Sequence, residues 1–341
     1  MQNTIKTDQS VVNEVERTKF KRAFATIAKD WRLYVLLIPM LAFLICFKYL
    51  PIRGILEGFK WGSYSQSSEY LSQWCGSYWL EYIFVGPGRL EFWRAFRNTF
   101  VNSMYGLILG FPIPIFLALL FSEVKILGYR SILQVCSYLP HFVSMVVVTT
   151  IITLWCTGDK SANTAPGIIY KALKAMHVLK DDIGILAHPR YFRPIYQISG
   201  IWEGAGYGSI VYFAAILAIS PTSYEAARID GATKMQQIRF VTIPGMAPTL
   251  TIMLIMRIGH ILNIGYEKII LLIGDTQSAW ETGDVVSTLV YRMTGRGESV
   301  AGVQVIEQIG VVADLFNSLI AMVLVLGANA ISRRVSSTSL F

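Results

Sequence analysis

Two sets of residues in this sequence are of kinds that could do chemistry, and both are embedded in a strongly apolar chain. The first lies inside long apolar runs. Tyr196, Ser199, Glu203 and Tyr207 recur at three- and four-residue spacing, which puts them on one face of a helix, with Trp202 beside them. Arg257, His260, Asn263 and Glu267 follow the same spacing over about a third of a second helix, with Tyr266 adjacent. Aromatic rings next to amides and carboxylates suit a sugar, whose C–H faces stack on rings while its hydroxyls find donors and acceptors. The second set is Glu225-Ala226-Ala227-Arg228-Ile229-Asp230-Gly231, followed by Val241-Thr242-Ile243-Pro244. This charged insert lies between two apolar runs, where an element of its kind has a use if something docks on it.

Catalytic patterns are missing from the sequence. There is no G-x-x-x-x-G-K-[ST] to cradle phosphates, no G-x-S-x-G and no H-E-x-x-H, and the four histidines (His141, His177, His188, His260) are scattered. Cys46, Cys75, Cys136 and Cys156 are far apart and form no metal-ligand spacing, so they read as packing residues. The chain is therefore expected not to be an enzyme and to hold no metal or cofactor of its own.

The elements that must position these residues are membrane spans. Of 341 residues, 53% are hydrophobic and 15% charged, well below the roughly 25% charged of a soluble domain. Six windows are long and apolar enough to cross a bilayer as helices, at 33–55, 99–121, 132–155, 195–219, 248–270 and 309–331. The first is too long for a signal peptide, follows about thirty residues and has no small-residue cleavage site after it. The expected fold is an all-α polytopic membrane protein with six transmembrane helices. Its organisation is a cytoplasmic tail 1–31, a six-helix membrane body 32–331 with a cytoplasmic loop 220–245 between helices four and five, and a cytoplasmic tail 332–341.

Basic residues set the orientation. Arg17, Lys19, Lys21, Arg22 and Lys29 precede the first span, Lys125 and Arg130 occupy the second-to-third turn, and Arg333 and Arg334 follow the last span. Both termini are expected in the cytoplasm. Lys160, Lys171, Lys174, Lys180, Arg190 and Arg193 run against this assignment, in a longer outer loop, 158–193, expected to carry an interfacial amphipathic helix near 168–176.

Local signals predict two short helices in the cytoplasmic loop. Thr222-x-x-Glu225 and Thr233-x-x-Gln236 are capping-box patterns, and Gly231 stands where a helix end favours a left-handed glycine. Pro244 and Pro248 mark the exit into the fifth span. A DNA-binding helix-turn-helix would show a similar pattern, but Arg228, Lys234 and Arg239 against Glu225 and Asp230 are too few to grip phosphates. Within the spans, the doubled G-x-x-x-G of Gly200, Gly204 and Gly208 predicts close helix packing, and Gly106-x-x-x-Gly110 with Pro112 and Pro114 predicts packing and a kink. Blander readings exist for the charges: Arg257 and Glu267 as snorkelling side chains near span ends, and Glu203 as the buried partner of a basic residue on another helix.

The Glu225-Ala226-Ala227 triplet, Gly231 six residues after the glutamate, and the later Val241, Ile243 and Pro244 resemble the EAA loop of binding-protein-dependent ABC importer permeases. That loop reads E-A-A, three residues, Gly, nine residues, then I-x-L-P; the spacing holds here, with valine and isoleucine for isoleucine and leucine. The likeness to the sugar-importing branch runs from about Leu33 to the C-terminus. Phe47-Lys48-Tyr49-Leu50-Pro51, Ser137-Tyr138-Leu139-Pro140-His141-Phe142 and Ile261-Leu262-Asn263-Ile264-Gly265-Tyr266-Glu267 resemble the LplB-type oligosaccharide and polysaccharide permeases.

This resemblance implies a permease subunit in a bacterial cell membrane that passes an oligosaccharide or polysaccharide inward. It implies a second homologous permease as partner, so a heterodimer, two ATP-binding-cassette ATPase subunits that bind ATP and Mg, and an extracytoplasmic solute-binding protein. Membrane lipids surround the assembly and no nucleic acid takes part. It further implies that Glu225, Ala226, Ala227, Asp230, Gly231 and Pro244 couple to the ATPase; Tyr196, Trp202, Glu203, Tyr207, Asn263, Tyr266 and Glu267, as polar and aromatic residues inside the spans, are the residues expected to line the substrate path. The aromatic-rich segment 60–94 is the candidate receiver of the binding protein. The competing reading is a secondary transporter or channel with no ATPase, for which inverted repeats and midplane carboxylates are expected; no clear repeat is visible in the sequence.

Overall fold

The computed structural model of the chain describes residues 29–61, 73–158, 165–179, 184–274, 277–295 and 307–335. Arg17, Lys19, Lys21, Arg22, Lys160 and Lys180 of the charge argument lie outside these residues, as does most of each tail. The described residues form helices and turns, with one isolated antiparallel bridge between Lys60 and Trp74 and no β-strand among them.

A bilayer offers the backbone no water to bond, so an apolar segment that crosses it must satisfy its own N–H and C=O groups by forming helix. Trp31–Phe59, Arg89–Glu123 and Gln308–Arg334 are long and apolar enough to do so. Three more stretches qualify as bent pairs: Leu127–Phe142 with Met145–Cys156 (94°), Pro189–Leu217 with Pro221–Ile229 (69°), and Lys234–Gly245 with Ala247–Gly259 (64°). If each pair counts as one span there are up to six, and each overlaps one of the six apolar windows.

The chain divides into two compact units, Met1–Glu57 and Gly58–Phe341. In the first, helix α1 (Trp31–Leu44) is apolar, has no buried residue and runs into a π-turn at Ile45–Tyr49. The second contains α2 (Tyr78–Phe84), α3 (Arg89–Ile108), α4 (Pro112–Glu123), α5 (Leu127–Tyr138), α6 (Met145–Cys156) and α7 (Ile168–Ala175). It continues with the long α8 (Pro189–Leu217), α9 (Pro221–Ile229), α10 (Lys234–Gln237), α11 (Ala247–Gly259), α12 (Tyr266–Ile273), α13 (Val286–Gly295) and α14 (Glu307–Val335). Helix α7 is the amphipathic segment expected in the third-to-fourth loop: Tyr170 is buried, Lys171 is exposed and the Lys174 ammonium lies 5.5 Å from the Tyr170 ring centroid.

Three apolar clusters hold the second unit together. One joins α2, α3, α13 and α14 through Trp79, Phe92, Leu289 and Val312, with Phe84, Phe96 and Phe316 packed against it. In this group Phe84 and Phe316 meet edge to face at 4.8 Å, the favoured geometry for ring quadrupoles. A second cluster joins α6, α7, α8 and α12 through Val148, Tyr170, Phe192 and Ile269. The third joins α4 and α8 through Ala118, Tyr212 and Ile216, with Met246 from the turn before α11.

An ion cluster fixes the turn before α13. The Asp284 carboxylate is fully buried and accepts from Arg292 at 2.6 Å, Arg94 at 3.5 Å and the Thr288 hydroxyl at 2.9 Å. Asn98 on α3 donates to the backbone carbonyls of Glu281 and Asp284 and accepts from Arg193 on α8 at 2.7 Å. Burial pushes the Asp284 carboxyl above its ordinary value, while Arg292, Thr288 and Arg94 pull it back. The arginines therefore offset a desolvation cost, and the cluster gives the turn one arrangement more than it adds net stability. Arg292→Ala leaves a buried carboxylate to Thr288 and the half-exposed Arg94 and is expected to cost about 3 kcal/mol. Asp284→Asn, which removes the charge, is expected to cost clearly less, and thermal denaturation in detergent reads the difference.

Candidate functional site

The site is built on two broken helices. Proline has no N–H, so Pro114 leaves the carbonyl of Gly110, four residues earlier, without its helical donor. Arg257 on α11 supplies the donor: Nη1 reaches the Gly110 carbonyl at 3.0 Å and Nη2 the Gly106 carbonyl at 3.1 Å. Arg257 is thus no snorkelling side chain but the repair of the α3–α4 break, across which Arg89–Glu123 still forms one long span and not one of the sharply bent pairs. Gly110 is required there because a Cβ would stand 2.5 Å from Arg257 Nη2.

The second break corrects a sequence expectation. Arg257, His260, Asn263 and Glu267 do not share one helical face, because α11 ends at Gly259 and α12 starts only after Gly265. Glycine at both edges and the capping turn at His260 end the helix, and hydroxyls from neighbouring elements take the freed carbonyls. Ser103 donates to Ile261 and Ser287 to Ile264. His260 and Asn263 still line a common cavity, whereas Tyr266 stacks on Tyr291 at 4.8 Å and Glu267 is exposed.

Lys268 is the residue that sequence reasoning missed. Its ammonium meets Glu203 on α8 at 2.8 Å, with both side chains largely buried, and lies 5.8 Å from the Tyr196 ring centroid. The blander reading of Glu203, as partner to a base on another helix, is the one the structure supports. The available signal was the lysine itself, a charge at the head of the apolar run that ends the fifth window, costly there unless paired.

Between α3, α8, α11 and the α11–α12 turn lies a cavity of about 520 Å³. Tyr196, Lys268, Arg257, His260 and Asn263 line it, as do Gly200, Gly204 and Gly208. Of the glycine stripe expected to pack closely against another helix, Gly200 and Gly204 face this space, while Gly208 also lies against Pro114 of α4. A Cβ at Gly204 would meet nothing within 4 Å, and at Gly200 and Gly208 the nearest atoms stand at 3.8 and 3.6 Å. The tight approach on α8 is at Gly206, where a Cβ would lie 2.0 Å from the Ser137 carbonyl oxygen. Trp202 and Tyr207 are exposed on α8 outside the cavity lining, and Tyr207 stacks on His141 at 4.1 Å beside the 94° bend.

The second candidate element follows α8. Helix α9 begins at Pro221, two residues earlier than the Thr222 capping box requires, because proline supplies a preset φ and no N–H at the first helical position. Thr222 is therefore inside the helix, its hydroxyl 2.7 Å from that of Ser220, and no side chain caps α9. Its other end closes as expected. Gly231 has φ +77°, its N–H bonds to the Arg228 carbonyl, and the Ala232 N–H bonds to that of Ala227, the pair of bonds that defines a Schellman cap. The Thr233–Gln236 capping box of α10 is formed.

Three side-chain contacts brace this element. Tyr224 meets Thr242 at 3.1 Å, Gln237 donates to the Ala232 carbonyl at 2.9 Å, and Lys234 pairs with Glu123 of α4 at 2.7 Å. Glu225, Ala226, Asp230, Gly231 and Pro244 are exposed and Ala227 is half-buried. Ile229, Met235 and Phe240 are 86%, 72% and 67% exposed, an apolar surface held out by a braced frame.

A family model described as "Binding-protein-dependent transport system inner membrane component" matches residues 110–336, two thirds of the chain and all of both candidate elements beyond α3. The chain belongs to this family. As such an inner membrane component it is a multi-pass membrane protein. It is 33% identical over 321 residues to Protein LplB of Bacillus subtilis (strain 168), covering 93% of each chain. It is 30% identical over 327 residues to the polygalacturonan/rhamnogalacturonan transport system permease protein YteP of the same organism, covering 96% of this chain and 95% of YteP. Its fold matches a bacterial ABC transporter involved in import of the acidic polysaccharide alginate, with a TM-score of 0.79, 37% identity and coverage of 93% and 100%. A bacterial alginate ABC transporter in complex with alginate pentasaccharide-bound periplasmic protein matches with a TM-score of 0.77 and 37% identity over 92% and 98%.

In this permease component the Lys268–Glu203 pair ties α12 to α8. Lys268→Met is expected to strand Glu203 and cost about 3 kcal/mol, whereas the exchanged pair Glu203→Lys with Lys268→Glu recovers most of that loss. Melting temperatures of the purified variants in one detergent check both statements.

Proposed function

We propose that this chain is one of two different permease subunits of an ATP-driven importer that carries an oligosaccharide or polysaccharide into a bacterial cell. Two ATP-binding-cassette subunits, which bind ATP and Mg, dock on the α9–α10 element, and an extracytoplasmic solute-binding protein delivers the sugar. The observation that carries the reading is the α9–α10 element itself. It is capped at Gly231, braced by Tyr224, Gln237 and Lys234, and presents Ile229, Met235 and Phe240 outward. A frame of this kind moves as a body, whereas a floppy loop would absorb a push.

Glu225, Ala226, Ala227, Asp230, Gly231 and Pro244 are the coupling positions. Lys125 and Arg130 in the turn between α4 and α5, with Arg333 and Arg334 at the end of α14, support placing that side and both termini in the cytoplasm. The Asp284 cluster and the aromatic segment near α2 then face outward, toward the binding protein. Sugar as cargo rests on the YteP and alginate-transporter relatives and on the cavity, where Tyr196 and Asn263 are placed to meet a ring and its hydroxyls. Of the remaining path residues, Trp202 and Tyr207 face away from this cavity, where a second permease subunit would complete the path, and Glu203, Tyr266 and Glu267 act around its margin.

Gly231→Pro forces φ to about −65° where the chain needs +77° and removes the N–H that closes the cap. It is expected to abolish sugar-stimulated ATP hydrolysis by the assembled complex while the permease still inserts, and Glu225→Lys is expected to do the same by reversing the charge on the docking face. Normal coupled turnover in either variant rules out the coupling role.

A further inference from the structure

Asp314 is the single acidic residue of the apolar span Gln308–Arg334. It stands six residues in, about 9 Å along the helix axis from Gln308. Glu203 and Asp284 each have basic partners, but Asp314 is exposed and has no hydrogen-bond or ion-pair partner among the described residues. Lysine and arginine reach the headgroups on long stems; an aspartate, with one methylene, cannot cover that distance. A carboxylate inside a span is costly, so it persists where something outside the span meets it.

Asp314 lines a groove of about 640 Å³ between α14, the start of α13 and the turn that joins α11 to α12. Asn317 and Ser318 follow it at three and four residues on one face of α14, and His260, Asn263 and Ser287 line the groove from the other elements. Deeper along α14 the lining turns apolar, with Met322 and Leu326 at 52% and 54% exposure. The helices touch at its floor, where a Cβ at Gly259 of α11 would stand 2.8 Å from Val325. Lipid tails bring no charge to Asp314, and the apolar stretch ill suits a hydrated path. A second spanning helix meets both needs, a cation on it facing Asp314 and its apolar side chains covering Met322 and Leu326.

We propose that this groove seats a spanning helix of the second permease subunit, with Asp314 paired to a lysine or arginine on that helix. The inference rests on the importer reading above, which supplies the second subunit, and it assigns to α14 the charge that selects and registers it. A neutral helix in the same groove would leave the carboxylate uncovered, so the pair discriminates against wrong partners as well as holding the right one.

The test uses the assembled complex in its membrane, with a photoreactive benzoylphenylalanine in place of Ser318, one turn from Asp314 in the groove. Irradiation is expected to link it to a spanning segment of the second permease that carries a lysine or arginine within one turn of the linked residue. Asp314→Asn is expected to lower the amount of second permease that co-purifies with this chain about tenfold, because it leaves that cation buried without its partner, whereas Asp314→Glu retains most of it. Asp314→Lys is expected to fail in the same way and to recover when the linked cation is exchanged for aspartate, a rescue that a misfolded chain would not give. Co-purification of Asp314→Asn within about twofold of wild type, or links to lipid or oligosaccharide alone, overturns the seat and leaves the importer standing. A chain that purifies with neither a second permease nor an ATPase overturns the importer reading and the seat with it.

Discussion

Every break in a membrane helix exposes backbone groups that lipid cannot satisfy, and the architecture of this chain follows from how those groups are met. Prolines and glycines interrupt the spans at the α3–α4 join and between α11 and α12, and in each case a side chain from another element reaches across. Arg257 serves the carbonyls of Gly106 and Gly110, Ser103 that of Ile261, and Ser287 that of Ile264. Because each repair comes from a different segment, the repairs also fix how the segments pack. The cavity lies where two broken helices and the glycine face of α8 meet, so the interruptions that create it are also what hold it in shape.

The same constraint explains which parts of the protein were legible in its sequence. The spans were, since long apolar runs have few other solutions, and so was the α9–α10 element, whose Gly231 cap and Thr233 box are short-range patterns. Thr222 misled because Pro221 starts the helix two residues sooner. The face drawn through Arg257, His260, Asn263 and Glu267 assumed an unbroken helix, and periodicity carries no sign of a break whose cost is met by serines far away in sequence. Lys268 was invisible for a related reason: it matters through a partner 65 residues away.

Charge inside the unit, Asp314 aside, is arranged in closed sets. Glu203 has Lys268, and Asp284 has two arginines and a threonine, so ionised groups contribute register between elements more than net attraction. Two cations line the cavity, each already engaged: Lys268 with Glu203 and Arg257 with the backbone carbonyls of Gly106 and Gly110.

The contact at Gly206 has a mechanical consequence. The Ser137 carbonyl rests against the backbone of α8 with no room for even a methyl group, 17 residues from the start of the rod and 11 from its end. With 1.5 Å of rise per residue, Tyr196 at the cavity lies about 15 Å to one side of that point and Leu217 about 16 Å to the other. A rigid beam pivoted there has arms of nearly equal length to these two points. Tilting it there neither amplifies nor diminishes motion; it reverses its direction, so a shift at the end that leads into α9 emerges at the cavity wall with the same size and the opposite sense.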